Sequence, residues 1–296
     1  MSQPLEASVA VRPRPKRGVL RSVGKKLRYI GPAVVAGLVI AGTFQAISKF
    51  ELLPSILFPP VEDVVSEMYR QAFTSTLWME LSVTMREALA AWAIGSGIGL
   101  IFGVGIGLFP LVARGTYPYM VLLQSTPRIT LAPAFIAMFG FGMTPKVLMG
   151  VVLCFFPVLI NTIVGLRSAD SDSLLLMRSM NASRLQIFRK LLLPGALPMI
   201  FGGLKAALSF ALIGAIVGEM FAGNQGMGGL INTTSFQLRM DAMFGFIMWT
   251  SLVSLALFGI MTAIDRKLIF WTENPSALNL GDDDDASHRA AIEQGL

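Results

Sequence analysis

The sequence predicts an all-α polytopic membrane protein, and three observations support this fold class. Of the 296 residues, 54% are hydrophobic and only 14% are charged, with a mean hydropathy of +0.65. Apolar runs of about 20 residues recur along the chain, and this is the length that an α-helix needs to cross a bilayer. Basic residues concentrate before the first run and between later runs, as they do in membrane proteins whose basic loops stay in the cytoplasm.

The predicted transmembrane helices are six apolar runs, each long enough to cross a bilayer once. They cover approximately residues 30–48, 88–109, 117–139, 146–166, 199–222 and 243–264. We therefore expect one membrane domain over residues 29–271. A basic arm, residues 1–28, precedes it. A tail, residues 272–296, follows it, and the four consecutive aspartates and few apolar residues of this tail predict disorder.

Basic residues predict the orientation of the chain in the membrane. Eight of them precede the first span: Arg12, Arg14, Lys16, Arg17, Arg21, Lys25, Lys26 and Arg28. If this arm is cytoplasmic, counting spans places Arg114, the segment 167–190, Arg266 and Lys267 on the same side. Both termini are then cytoplasmic. The net charge of +6 is accordingly an orientation signal and does not indicate a nucleic-acid surface.

The second apolar run predicts close helix packing. It carries glycines four residues apart, at positions 95, 99, 103 and 107, with Gly97 and Gly105 between them. Small residues at this spacing allow two helices to approach closely in lipid. We expect this helix to lie inside a bundle. Before it, the sequence VEDVVSEMYRQAF, residues 61–73, predicts a short amphipathic helix outside the spans.

Polar residues inside two of the spans are candidates for a translocation path. Gln124, Ser125, Thr126 and Arg128 interrupt the third run, and Pro127 removes a backbone donor among them. A cation at membrane depth is costly unless it faces a cavity or a partner. Arg128 therefore either lines a path or reaches the headgroups as an interfacial side chain. Glu219, in the fifth run, is either a path residue or half of a structural pair.

The segment 171–198 separates the fourth and fifth spans and predicts a helix–turn–helix outside the bilayer. Ser173 can cap a helix that begins at Leu174. Asn181 predicts a break after about two turns, because Asn tolerates the left-handed conformation. Beyond the break, Leu185, Phe188 and Leu192 form an apolar stripe with basic residues off it, and Pro194 ends the pattern. Such an element is suited to dock on another protein; the alternative is an amphipathic helix on the membrane surface.

This segment, MNASRLQIFRKLLLPGALP, resembles the EAA loop of ABC-importer permeases. The residues that match the family pattern are Ala182, Ser183, Phe188, Leu193, Pro194, Ala196, Leu197 and Pro198. The EAA triplet itself is Leu175-Leu176-Met177 here, and the family's glycine is Asn181. The resemblance implies a cytoplasmic coupling helix that contacts ATPase subunits. The residues it points to are Leu174, Met177, Arg178, Asn181, Ala182, Ser183, Arg184, Leu185, Phe188 and Pro194.

The resemblance extends over residues 58–271. The sequences PRITLAPAFIAMFGFG and FFPVLINTIVGLRS are similar to the subgroup that imports nitrate, sulfonates, taurine, bicarbonate and pyrimidine precursors. It implies the type I ABC importer permease fold in the inner membrane of a bacterium. It also implies a homodimer of permeases, two ATPase subunits and an extracytoplasmic solute-binding protein.

The resulting expectation is an importer permease that moves a small organic or inorganic anion, or a heterocycle, by alternating access. The chain lacks the G-x-x-x-x-G-K-[ST] phosphate loop. ATP and magnesium are therefore expected on the partner ATPase, with no cofactor in this chain and no enzymatic site of its own. The alternative is a secondary transporter or channel that works without an ATPase. Such proteins usually contain inverted repeats and midplane ion-binding side chains.

Overall fold

The computed structural model is a bundle of helices and describes residues 35–37, 39, 42–50, 57–222 and 225–271. Every regular element among the described residues is helical, which confirms the predicted fold class. The elements are α1 (Val35–Lys49), α2 (Val61–Ala72), α3 (Ser75–Leu108), α4 (Pro110–Ser125), a 3₁₀ turn (Arg128–Leu131), α5 (Ala132–Phe139), α6 (Met143–Arg167), α7 (Ser171–Ser179), α8 (Arg184–Ile187), a π-helical turn (Phe188–Leu192), α9 (Leu193–Ala222), α10 (Met227–Phe236) and α11 (Met240–Leu268). The predicted arm, 1–28, and tail, 272–296, lie outside the described residues.

The first unit of the chain ends at Asp63 and contains α1. Within it, the Gln45 side chain accepts a hydrogen bond of 2.9 Å from the N–H of Val61, the first residue of α2. The rings of Phe44 and Phe58 lie 5.4 Å apart. The predicted first span, 30–48, is described only in part and remains a prediction.

Four helices among the described residues are long and apolar enough to cross a membrane: Ser75–Leu108, Met143–Arg167, Arg184–Ala222 and Met240–Leu268. They contain four of the six predicted spans. The second span starts 13 residues earlier than predicted, at Ser75 instead of position 88. The charged residues Glu80, Arg86 and Glu87 lower the hydropathy of this part, although two of them form hydrogen bonds inside the bundle.

The third predicted span, 117–139, is not one helix. α4 ends at Ser125, Thr126 is extended, and the chain resumes as a 3₁₀ turn at Arg128 before α5. Pro127 has no N–H, so the carbonyl of Leu123 loses its helical partner. The residue before a proline also disfavours the helical conformation. The run is therefore interrupted at Pro127, the residue that removes a backbone donor, and the polar residues lie at a helix break.

The core of the bundle is α3 packed against α6 and α9, and it depends on small residues. A Cβ on Gly99 would lie 2.8 Å from the carbonyl oxygen of Phe155, and one on Gly103 would lie 2.6 Å from Cβ of Thr162. In contrast, a Cβ on Gly97 or on Gly105 would have no neighbouring atom within 4 Å. The predicted glycine stripe is confirmed, because it faces a neighbouring helix at the shortest distances that backbones allow.

The predicted helix end at Pro194 is wrong. Helical structure continues from Arg184 to Ala222, with a π-helical turn over Phe188–Leu192 directly before the proline. The N–H of Leu193 donates to the carbonyl of Phe188, five residues back. A π turn widens the helix, so the proline ring no longer meets a carbonyl in the normal position one turn earlier.

Candidate functional site

The segment between α6 and α9 forms a helix–turn–helix, as predicted. At the turn Asn181 has φ +57°, the left-handed conformation. The N–H of Ala182 donates to the carbonyl of Met177, and the N–H of Asn181 donates to that of Arg178, both at 3.0 Å. These two bonds make a Schellman motif, which ends a helix in a fixed direction.

The first helix of this segment begins earlier than the sequence suggested. Asp170, not Ser173, is the N-cap of α7, and its carboxylate accepts from the Ser173 N–H and hydroxyl, each at 2.9 Å. The backbone N–H of Ser173 is the largest influence and holds the pKa of Asp170 below its ordinary value. The predicted cap residue is thus a donor to the actual cap. The error arose because both residue types cap helices equally well.

The second helix of the segment is fixed by a reciprocal cap. The Ser183 hydroxyl accepts from the N–H of Gln186 at 3.3 Å, and the Gln186 side chain accepts from the N–H of Ser183 at 2.7 Å. This is a capping box. The turn and both helix starts are therefore fixed by hydrogen bonds within the segment.

The predicted apolar stripe divides between two surroundings. Phe188 and Leu192 pack against the cluster of Leu166, Ala196 and Ile200, within the same chain. Leu185 is exposed. The structure therefore places Phe188 at the junction between the segment and the bundle, where its ring packs against the bundle.

Four apolar residues of this segment have exposed side chains, and we call them the coupling patch. Their exposed fractions are 67% for Leu175, 61% for Leu176, 71% for Met180 and 58% for Leu185. The same segment carries four exposed basic residues: Arg178, Arg184, Arg189 and Lys190. Within the described residues these four form no ion pair. An exposed apolar surface with a charged rim is typical of a protein-docking site. Of the four patch residues only Leu185 was predicted to take part in coupling. The predicted coupling residues Leu174, Met177 and Ala182 are half-buried.

The candidate path residues of the third run lie at the break between α4 and α5. Gln124, Ser125 and Thr126 are exposed. The hydroxyls of Ser125 and Thr126 donate to carbonyls one turn earlier, at 2.9 and 3.1 Å. Gln124 also lines a cavity of about 440 Å³ between α3, α4 and α6, whose other polar lining is Tyr117, Arg167 and Ser168.

Arg128 is half-buried, and its guanidinium carbon lies 4.6 Å from the centre of the Phe156 ring. Phe156 is 13 residues into the 25-residue helix α6, close to its middle. A cation over an aromatic face is attracted by the ring. Among the described residues no carboxylate pairs with Arg128. This position at mid-helix favours the path interpretation over that of an interfacial arginine.

Glu219 is not beside these residues. It is fully buried, and its two carboxylate oxygens accept from the Thr84 hydroxyl and from the N–H of Gly228, each at 2.7 Å. The structure thus places it in a polar cluster that joins α3, α9 and the start of α10. The sequence indicated a lone carboxylate, because its neighbours Thr84 and Glu87 are more than 130 positions away.

Two ion pairs between helices were not predicted from the sequence. Lys146 donates to Glu87 at 3.0 Å, and both side chains are buried. Lys205, in the first half of α9, pairs with Asp265 of α11 at 2.7 Å. Lys146 and Lys205 lie inside predicted spans, whereas Glu87 and Asp265 each lie one residue outside one. Charged residues at these positions are the only signal that could have suggested these pairs.

Comparison with known proteins identifies the family. The model of the family described as "Binding-protein-dependent transport system inner membrane component" matches residues 95–270, more than half of the chain. The chain belongs to this family. It is a permease of an ABC transporter, and a multi-pass protein of the inner membrane.

Individual relatives agree with this assignment. A probable ABC transporter permease protein of Haemophilus influenzae is 30% identical over 233 residues, which cover 79% of this chain and 94% of that protein. The putative aliphatic sulfonates transport permease SsuC of Bacillus subtilis is 26% identical over 270 residues, which cover 91% of this chain and 95% of that protein. Permeases named for taurine, nitrate and formylaminopyrimidine transport are also similar, so the predicted subgroup is confirmed.

A solved structure supports the fold of this permease. It is described as an inward-facing conformation of the MetNI methionine ABC transporter, and it matches with a TM-score of 0.53 at 19% identity. The match covers 65% of this chain and 94% of that chain. The type I importer permease fold follows from this similarity together with the family match.

Proposed function

We propose that this permease imports a small anionic solute, delivered by a solute-binding protein and driven by ATPase subunits that dock on the coupling patch. ATP and magnesium would bind to those ATPase subunits. Docking of the ATPase subunits is supported by the helix–turn–helix, whose turn is hydrogen-bonded and whose exposed side chains include four apolar ones. A surface that is preformed and apolar at its centre suits a protein partner, because docking then orders few residues.

The anionic solute is supported by Arg128. Its guanidinium lies at a helix break at mid-bundle, and no described carboxylate neutralises it. Relatives named for sulfonates, taurine and nitrate transport anionic or zwitterionic compounds by their names. A passing anion would find in Arg128 a cation that the protein itself leaves uncompensated.

The second permease copy is supported by the uncovered side of α4. Leu111, Tyr119 and Leu122 are all exposed there, on the same helix that leads to the break. We expect a homodimer in which this side and the break meet their symmetry mates. The path would then run between the two copies.

Cytoplasmic placement of the coupling patch is supported by the charge difference between the two ends of the bundle. Arg114, Arg167, Arg266 and Lys267 lie at helix ends on the side of α7. At the opposite end Arg70 and Arg239 both pair with Glu67, at 2.6 and 3.6 Å. Unpaired basic residues concentrate on the cytoplasmic side of membrane proteins, so both termini are expected there.

The solute proposal is tested by uptake into proteoliposomes that contain the complete transporter, with alkanesulfonate, taurine, nitrate and riboflavin as competing solutes. Competition by the anions and not by riboflavin is expected. Arg128→Lys should keep part of the uptake because the charge remains, whereas Arg128→Gln should lower it at least tenfold with normal assembly. Full uptake by an assembled Arg128→Gln transporter would remove this residue from the path.

A further inference from the structure

The polar cluster at the end of the bundle opposite α7 contains more carboxylates than cations. Thr84 of α3 donates to Glu219 of α9 at 2.7 Å, and Glu87 follows Thr84 by three residues on the same face of α3, so the two carboxyl groups are neighbours. The Glu87 side chain is 4% exposed and the Lys146 side chain 6%. Lys146 contributes one positive charge to this buried group, while two ionised carboxylates would contribute two negative charges. A buried uncompensated charge is costly, so the cluster needs one more positive charge.

The hydrogen bonds of the cluster show which carboxylate oxygen lacks a donor. Both oxygens of Glu219 accept, one from Thr84 and the other from Gly228. Oε1 of Glu87 accepts from Lys146 at 3.0 Å. Oε2 of Glu87 is buried and has no donor within residues 57–222 and 225–271. A buried acceptor without a donor is unfavourable, because it loses the hydrogen bonds that it would make in water.

We propose that the Glu87–Glu219 pair binds one proton, carried on Oε2 of Glu87 and donated to the carboxylate of Glu219. This proton satisfies the unpartnered oxygen and makes the cluster of Lys146, Glu87 and Glu219 neutral. It also links α3 to α9 by a direct hydrogen bond. The inference concerns the stability of the bundle and does not rest on the solute or on the ATPase partner.

The bound proton stabilises the start of α10. Thr84 accepts from the N–H of Met227 at 2.8 Å, and Glu219 accepts from that of Gly228. Glu80 accepts from the N–H of Gly226, and Lys146 donates to the carbonyl of Gln225. Four consecutive residues are therefore held by side chains from α3, α6 and α9. Repulsion between two ionised carboxylates would separate α3 from α9 beneath them.

The charged groups that face the pair are few. Lys146 reaches it from α6, and Glu80 lies one turn and more away on α3. α10 contributes only backbone N–H groups among its described contacts with the pair. A change of pH between neutral and about 9 is therefore expected to act on the shared proton.

Two amide variants test whether the proton lies on Glu87 or on Glu219. Glu87→Gln places an N–H₂ donor where the proton would be and keeps an oxygen for Lys146, so it should fold and melt like the wild type. Glu219→Gln replaces one of two accepting oxygens by a donor, so Thr84 or Gly228 loses its acceptor. Its melting temperature should fall by several degrees. Both are measured on the full chain in lipid nanodiscs.

Two further readouts test the proton itself. Infrared spectroscopy should show the stretching band of a buried carboxylic acid in the wild type, and this band should be absent from Glu87→Gln. The folded state binds a proton that the unfolded state releases, so the wild-type melting temperature should fall as the pH rises from 7 to about 9. That of Glu87→Gln should stay constant. A missing carboxylic acid band, or a Glu87→Gln protein as unstable as Glu219→Gln, would overturn the proposal.

Discussion

Asn181 determines the angle between the two helices of the coupling segment through its left-handed backbone. We expect Asn181→Gly to keep or slightly improve ATPase association, since glycine adopts positive φ without strain. Asn181→Val should weaken association, because a branched side chain is strained by about 1–3 kcal/mol in this conformation. Co-purification of the ATPase with each variant measures the difference. Equal yields for the two variants would show that the angle is unimportant.

At this scale the sequence predicted the left-handed asparagine and the mid-helix arginine, because both depend on local chemistry. It did not predict what surrounds Phe188 or Glu219. Phe188 matches the family pattern at an apolar position, yet it packs on Leu166 and Ala196 of its own bundle. Its partners depend on how α6 and α9 pack together, and this packing cannot be deduced from the periodicity of one segment.

The N-cap of α7 is an element whose effect depends on pH. The pKa of Asp170 is lowered in the folded chain, mainly by the backbone N–H of Ser173. Its stabilisation is therefore complete at neutral pH and is lost as the pH falls through this lowered pKa.

We expect Asp170→Ala to reduce the helicity of α7 and thereby ATPase association. Asp170→Asn, which keeps an acceptor, should have a smaller effect. Asp172→Ala is the matched control, because Asp172 lies in the first turn without capping it. Binding of the isolated ATPase to each permease variant is the measurement. A control variant as defective as Asp170→Ala would assign the effect to charge alone.

The packing of α3 on α6 allows a comparison between two glycines of one helix. Gly103→Ala should lower the stability of the bundle by about 1–3 kcal/mol, because the new methyl group meets Thr162 and the backbone of α6. Gly105→Ala should be neutral or stabilising by up to about 1 kcal/mol, because it meets nothing within 4 Å and alanine favours helices. Thermal unfolding in one detergent compares them. Similar melting temperatures would contradict the helix packing described here.

Helix continuity was harder to predict than helix position. Prolines break helices on average, and this rule was correct at Pro127 and incorrect at Pro194. The two differ in what precedes them: a π-helical turn accommodates Pro194, whereas Thr126 is extended before Pro127. Both outcomes depend on the contacts of the flanking turns. Neither contact pattern leaves a periodic signal in the sequence.

For the whole molecule, hydropathy located four of the membrane helices and composition identified the class. The long helix α3 was underestimated because Glu80 and Glu87 made its first half polar. Glu87 is buried and Glu80 is half-buried. Their hydrogen bonds are with α6 and the start of α10, which only the tertiary structure brings together. The kind of partner was predicted only from the family resemblance, because hydropathy and composition do not identify it.

The proposed orientation leads to a labelling experiment on intact cells. A single cysteine introduced at Ser179, in a Cys154→Ala background, should resist a membrane-impermeant thiol reagent, since Ser179 lies beside the coupling patch. A cysteine at Phe236, exposed at the opposite end, should react. Labelling of position 179 from outside would place the patch on the wrong side for an ATPase.

We expect the coupling patch to join this permease to its ATPase. The most direct measurement is ATP hydrolysis by the reconstituted transporter, with and without solute-loaded binding protein, for a Leu176→Ser, Met180→Ser double variant. The matched control is Phe236→Ser, an apolar residue of similar exposure at the opposite end of the bundle. The double variant should insert and fold normally but lose bound ATPase and at least tenfold of the stimulated hydrolysis, whereas the control should retain ATPase binding. Normal ATPase binding and stimulation in the double variant would contradict the claim.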